Sequence, residues 1–381
     1  MCRSFLSLPK KPTKLKTNHS SEAPSAGNSA APALPYKPRD PEKYRPAIGL
    51  IGCGGITKEH LTAYRAAGYR VVALCDVVLS RAAGRKVEFY PDAEVYGDYR
   101  EMLKRGDIEL VDIATHPPER AAIIEDALTA GKHVLSQKPF VLDLDVGQRL
   151  ADLADERRLR LAINQNGRWA PHFSYIGQAI QAGILGQVTA AHLSVHWDHG
   201  WVKGTPFDNV KHLILYDYAI HWFDIVTSFM GRRRAKGVYA TVARSPAQEA
   251  RPPLLAQAMI EYDGGQASLI FDGDTRFGKE DRTFVAGTEG TILSIGPDSR
   301  HQSLTLHTAA GRVEPGLEGC WFPDGFHGAM GELLRAIEED REPTNSARDN
   351  LRSLELCFAA VASAEIRRPV DPGTVRRLPG S

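Results

Sequence analysis

Several protein classes are argued against by what the 381-residue sequence lacks. Its five cysteines (Cys2, Cys53, Cys75, Cys320, Cys357) show no paired spacing and no Cys-x-x-Cys, so they are expected as small buried hydrophobes in a reducing compartment rather than as a disulfide framework. Neither sign of charge dominates: 47 basic against 46 acidic residues leave a net charge of +1, which offers no electrostatic footprint for nucleic acid or an anionic membrane. There is no apolar run long enough for a signal-peptide core or a membrane span, and no internal repeat at a solenoid period. Small-molecule chemistry is the remaining default.

Residues 1–45, rich in Lys, Pro, Ser and Ala, are expected to be a disordered tail on a cytoplasmic protein, although a transit peptide or an over-extended start would have the same composition. From residue 46 short apolar runs alternate with helix-length amphipathic segments, the pattern of a parallel sheet with crossover helices. Strands are expected at 47–51, 71–75, 110–114, 133–136 and 161–164, and helices at 58–67, 81–89, 99–105, 121–130 and 146–158. Ser80 is placed as an N-cap and Gly131 as a C-cap. These units predict an α/β doubly wound Rossmann domain over residues 46–166. Beyond it, alternating runs at 188–196, 237–243, 255–262, 266–272, 282–286 and 304–307 predict a largely antiparallel open sheet, and helices are expected at 324–339 and 349–366. Residues 167–381 are thus expected to be an α+β domain for substrate binding and oligomerisation.

The first strand runs into Gly52-Cys53-Gly54-Gly55-Ile56-Thr57 and then a helix, the context that gives a glycine-rich turn its meaning. Gly52 permits the tight turn, Gly54 lets the backbone approach a pyrophosphate, and the amides of Gly55, Ile56 and Thr57 open the helix that meets its charge. Thr57 stands in place of the third glycine, and its hydroxyl is a possible phosphate donor. Asp76 ends the second strand, where a carboxylate can accept from the adenosine ribose hydroxyls and repel a 2′-phosphate, favouring NAD over NADP. Arg81 and Arg85 follow closely enough to leave NADP open.

In the apolar helical segment 216–230, Asp217, His221, Asp224 and Ser228 recur at spacings of four, three and four and share one face. One reading is a narrow solvent-facing stripe. The other places Asp217 and His221 at a cleft, the carboxylate fixing the imidazole tautomer so that His221 takes a hydroxyl proton; Asp224 is expected to be structural. Lys138, in Gln137-Lys138-Pro139-Phe140, sits at the carboxyl end of a strand, where open α/β sheets bind ligands; near a cationic ring its pKa is expected to fall.

Taken in order and spacing, these segments resemble the Gfo/Idh/MocA family, named for glucose-fructose oxidoreductase and inositol dehydrogenase, over nearly all the chain except the tail. Gln137-Lys138-Pro139 is similar to the family's Glu-Lys-Pro, with Gln for Glu, and Asp217, His221 and Asp224 match its Asp-x-x-x-His-x-x-Asp. The segment Asn164-Gln165-Asn166-Gly167-Arg168-Trp169-Ala170-Pro171 is similar to the family's link between domains; by that resemblance Asn166 and Arg168 are expected at the cofactor and Trp169 at the substrate. Thr115 sits where the family has Thr-Pro near the nicotinamide ribose, but His116 intervenes before Pro117, and Glu119-Arg120 leaves the contacts of that loop open. The resemblance implies hydride transfer between a nicotinamide and a hydroxyl-bearing carbon of a sugar, polyol or related alicyclic alcohol. In that scheme His221 accepts the hydroxyl proton, Asp217 orients it and Lys138 stabilises the oxyanion. It also implies a homodimer or homotetramer.

The run His196-Trp197-Asp198-His199-Gly200-Trp201 is dense in groups that stack on or hydrogen-bond a sugar, so His196, Trp197, His199 and Trp201 are expected to select substrate, with His172 and Lys211 as further candidates. A surface loop with buried tryptophans is the plain alternative. No metal is expected, although His196, His199, Asp217 and His221 are the residues a metal would use. Two rival functions stay open: NAD as a bound redox helper in elimination or glycoside cleavage, separated by net NADH release, and a non-catalytic NAD-sensing regulator, which has no use for Lys138, Asp217 and His221.

Overall fold

The computed structural model describes residues 30–380. Six parallel strands, β1 (Ala47–Ile51), β2 (Arg70–Cys75), β3 (Glu94–Tyr96), β4 (Ile108–Ile113), β5 (His133–Gln137) and β6 (Leu161–Asn164), lie in the order β3-β2-β1-β4-β5-β6. This is the doubly wound order, which reverses between β1 and β4 and opens a crevice at the carboxyl ends of the strands. β1 and β6 are buried along their whole length because helices cover both faces of the sheet. The crossover helices are α1 (Thr57–Ala66), α2 (Leu79–Phe89), α3 (Tyr99–Leu103), α4 (Pro117–Thr129) and α5 (Leu144–Glu156). Asp143 caps α5 through the Asp145 and Val146 amides, and Gly131, at φ +77°, follows α4 as expected. Ser80 is not an N-cap: α2 starts two residues earlier than expected, at Leu79 behind Val78, whose amide donates to the Asp76 carboxylate.

After α6 (Pro171–Gln181), β7 (Val188–His196) begins a second sheet. A π-helical turn (Leu213–Tyr218) leads into α7 (Ile220–Met230). The sheet continues with β8 (Ala235–Ala243), β9 (Leu255–Tyr262), β10 (Gly265–Asp272), β11 (Glu280–Gly287), β12 (Gly290–Asp298), β13 (His301–Thr308) and β14 (Gly311–Val313). Its order is β14-β13-β12-β11-β7-β10-β9-β8, antiparallel except where β7 and β10 run together. From Ala191 on, alternate residues of β7, Leu193 and Val195 among them, are buried on the face that packs on α7. The opposite face leaves Met259 and Ile270 exposed. α6, β12, β14 and β3 were not anticipated.

The last two helices, α8 (Trp321–Glu338) and α9 (Ala347–Ile366), cross the expected boundary at residue 167. Phe326, Met330, Leu333 and Leu334 of α8 are fully buried in one core with Ile48, Leu50, Leu61, Leu110 and Leu135. At roughly 1.5–3 kcal/mol for each side chain of this size, α8 belongs to the core of the first sheet. Residues 30–45 are not a tail in this fold. Pro32 and Tyr36 accept from Tyr175 and Ser174 of α6, Asp40 accepts from Tyr69, and the amides of Glu42, Lys43 and Tyr44 converge on Glu338 of α8. The rest of the expected tail, residues 1–29, lies outside the described residues. No helix among the described residues is long and apolar enough to cross a membrane.

Candidate active site

β1 delivers the glycine turn into the crevice. Gly52, at φ +95°, lies so close to β4 that a Cβ would meet the Ala114 carbonyl carbon at 2.9 Å and the Thr115 nitrogen at 3.0 Å. Gly54 and Gly55 face open space, with nothing within 4 Å of where a Cβ would be. Their backbone is therefore bare where a pyrophosphate would approach, beside the partly exposed Ile56 at the start of α1. The Thr57 hydroxyl is not free for a phosphate: the residue is fully buried and the hydroxyl donates to the Gly52 carbonyl at 2.6 Å, fastening the turn to the helix. Asp76 ends β2 against the turn, accepting the Cys53 and Val78 amides at 2.8 Å each. Arg81 comes within 3.9 Å of Asp76, and Arg85 donates to the Gly54 carbonyl at 2.9 Å. Thr115 offers a buried hydroxyl with no partner among the described residues. The open glycines, the carboxylate at the end of β2 and this unpaired hydroxyl fit a dinucleotide.

At the end of β5, Lys138 donates from Nζ to the Asp217 carbonyl at 2.8 Å and reaches the Asp217 carboxylate at 3.4 Å. Its own amide donates to Gln137 Oε1 at 2.6 Å. Arg120 of α4 ties the neighbouring loops together, donating to the Thr115 and Pro139 carbonyls; burial pulls this guanidinium down to about 10. The Glu119-Arg120 departure thus has a structural purpose.

His221 lies in the first turn of α7, edge-on to Trp321 with ring centres 5.4 Å apart. Burial, then the Lys138 charge, holds its pKa well below the ordinary range, so the imidazole stays neutral. Its Nδ1 is buried without a partner among the described residues, and Asp217 does not orient it. The expected i, i+4 pair fails because Asp217 lies in the π-helical turn, which breaks the helical register ahead of α7, and Asp217 takes Lys138 instead.

Arg168 is committed to buried partners, and Asn166 commits its side-chain oxygen. The Arg168 guanidinium donates twice to Asp224 (2.6 and 2.7 Å), to Asp349 (2.6 Å) and to the Thr344 carbonyl (2.5 Å), while Ser353 completes Asp224. Asp224 is thus structural and almost wholly buried, not part of a solvent stripe. Asn166 accepts from Trp321 Nε1 at 2.8 Å. Trp169 packs on Gly328 of α8 in a separate cavity of about 270 Å³ beneath residues 35–39, away from Lys138.

Of the expected substrate residues, Trp197, His199 and Trp201 gather around the π-helical turn and the start of α7. Trp197 lies 6.1 Å from Trp222, and His199 and Trp201 lie 4.5 and 6.5 Å from Tyr218. Burial holds His199 down at about 4. His196 points the other way, because alternation along β7 turns Val195 toward α7 and leaves His196 on the outer face, paired with Asp272 at 2.8 Å. His172 is buried against Phe173, which itself meets Trp321, and desolvation takes it to about 3. Lys211 is committed to Glu365 at 2.6 Å. His196, on the outer face, does not converge with His199, Asp217 and His221.

Sequence reasoning missed Trp321, Tyr218 and a buried chain behind Lys138 formed by Tyr64, Asp112, His60, Gln137 and Asn164. A signal was present: Asp112 interrupts the buried apolar run from Leu110 to Ile113 of β4.

This Rossmann crevice with a lysine at the end of β5 and a neutral histidine opposite defines a nicotinamide-type oxidoreductase. Residues 47–165 match the family model described as "Oxidoreductase family, NAD-binding Rossmann fold", and residues 173–293 match the GFO/IDH/MocA C-terminal domain. The chain belongs to the Gfo/Idh/MocA oxidoreductase family. It is 26% identical to a D-apiose dehydrogenase of Paraburkholderia graminis over 84% of this chain and 88% of that one. It is 25% identical to an inositol 2-dehydrogenase of Rhizobium meliloti over 85% and 98% respectively. Among solved structures, the fold is similar to scyllo-inositol dehydrogenase of Lactobacillus casei, crystallised with NAD(H) and scyllo-inositol, at a TM-score of 0.73, 22% identity and 87% and 100% coverage.

Proposed function

We propose that the protein is a dehydrogenase that uses NAD to oxidise, or NADH to regenerate, a secondary hydroxyl carbon of a sugar, polyol or related alicyclic alcohol. The observation that carries this reading is the pairing of Lys138 on Asp217 with a neutral His221 close enough to feel the lysine charge. The glycine turn, Asp76 and Thr115 would hold the cofactor, whose nicotinamide supplies the hydride acceptor when bound. His221 takes the hydroxyl proton; its depressed pKa keeps it deprotonated and ready at neutral pH. Lys138, fixed by Asp217, presents an ammonium to the oxygen as negative charge develops there. Trp197, His199, Trp201 and Tyr218 offer ring faces and polar edges suited to a polyol. The Asp76 carboxylate favours a 2′-hydroxyl over a 2′-phosphate.

His221→Ala is expected to lower turnover by about 10²- to 10⁴-fold while NAD binding, read by fluorescence titration, persists. Unchanged turnover would sink the assignment. The outer face of the second sheet, with Met259 and Ile270 exposed, suits self-association into a dimer or tetramer; a monomeric mass in sedimentation would refute that.

A further inference from the structure

Behind the end of β5 runs a buried hydrogen-bonded chain that the proposed chemistry does not itself use. Asp112 of β4 accepts on one oxygen from the Tyr64 hydroxyl at 2.7 Å and from His60 Nδ1 at 2.6 Å, with both Asp112 and His60 fully buried. An ionised carboxylate only accepts, so the imidazole carries its proton on Nδ1. The other ring nitrogen, Nε2, faces the side-chain amide nitrogens of Gln137 at 3.1 Å and Asn164 at 3.4 Å. The orientation of Gln137 is fixed independently: its Oε1 takes the Lys138 amide, leaving its NH₂ for the ring.

A neutral imidazole satisfies both Asp112 and Gln137. With Gln137 oriented by the Lys138 amide, an imidazolium would aim its second N–H at the Gln137 NH₂. The remaining neighbour, the Phe326 ring of α8 at 4.7 Å, carries no charge. Asp112 and Tyr64 are therefore the titratable groups facing His60, and Tyr64 stays protonated because burial, then Asp112, raises its pKa.

We propose that neutral His60 and Asp112 are positioning residues that hold the Gln137 amide, and through it the Lys138 backbone, and that glutamine at 137 keeps this hold independent of pH. A glutamate at 137 could not donate to Nε2. It would require one further proton, on the ring or on itself, and losing that proton at alkaline pH would leave two buried carboxylates flanking a neutral ring. The effect on catalysis rests on the role assigned to Lys138 above; the protonation state of His60 does not.

Two measurements test this on the full chain. Histidine ¹⁵N resonances, with His60 assigned by its loss in His60→Gln and independently by its shift in Gln137→Asn, should show the Nδ1–H form unchanged from about pH 6 to about pH 9. An Nε2–H form, or a titration midpoint within that range, overturns the proposal whether or not turnover is found. In the rate profile, Gln137→Glu should add an alkaline limb absent from the parent, falling about tenfold per pH unit as a single proton is lost. Parallel profiles for the two proteins would also overturn it.

Discussion

His172 gives the sharpest quantitative test of the packing around the second domain. Its Nε2 is buried without a partner among the described residues, and desolvation holds its pKa at about 3, whereas in the unfolded chain it returns to about 6.5. Because the folded value is the lower one, the unfolded state binds the extra proton, so stability falls as pH drops below about 6.5 and is unaffected well above it. At pH about 5.5 the unfolded imidazole is protonated roughly ten to one, which favours unfolding by about 1.4 kcal/mol. His199, held at about 4, contributes a similar loss. Urea unfolding followed by tryptophan fluorescence at pH about 7.5 and about 5.5 reads the difference. His172→Gln should lose about 1.4 kcal/mol less than the parent between those two conditions, a tenfold difference in the unfolding constant. Equal losses would refute the claim that this imidazole is kept neutral by burial.

Lys138→Ala should lower turnover by about 10²- to 10³-fold and move the acid limb of the rate profile upward, since the lysine charge suppresses protonation of His221; a stationary limb would show that the two groups do not interact. Arg168→Met leaves the buried Asp224 carboxylate without its bidentate partner and should cost about 3–5 kcal/mol in the same urea assay. Asp76→Ser removes a charge and the acceptor of two turn amides, so NAD affinity should fall and the preference for NAD over NADP should narrow; an unchanged ratio in fluorescence titrations would count against Asp76 as the selector.

Elements with strong internal periodicity were legible in the sequence to the residue: β1, β7 and β9 have the expected bounds. β3 was not, because three residues with an exposed Glu94 carry no pattern to read. α6 hid behind Pro171, which suits a helix's first turn as well as it suits a linker. Within the site, Lys138 was found because strand order places it at the end of β5, a consequence of topology. Pairing was harder: no propensity marks a π-helical turn, so Asp217 was assigned to His221 when it belongs to Lys138. His196 is different, since the alternation that sends it outward was already present in the sequence. The chain from His60 to Gln137 joins α1, β4, β5 and β6, and only tertiary packing brings those residues within 3.4 Å.

That α8 closes the apolar core of the first sheet bears on how the protein is made. A nascent chain that has just emerged through β6 lacks the α8 side chains that share a core with Ile48, Leu50, Leu61 and Leu135, and the ribosome needs roughly ten to thirty seconds more to deliver that helix. The amino-terminal domain is therefore unable to mature ahead of the rest. Its completion waits on α8, and during that interval the growing chain presents a sticky surface that chaperones, or a neighbouring copy, would meet first.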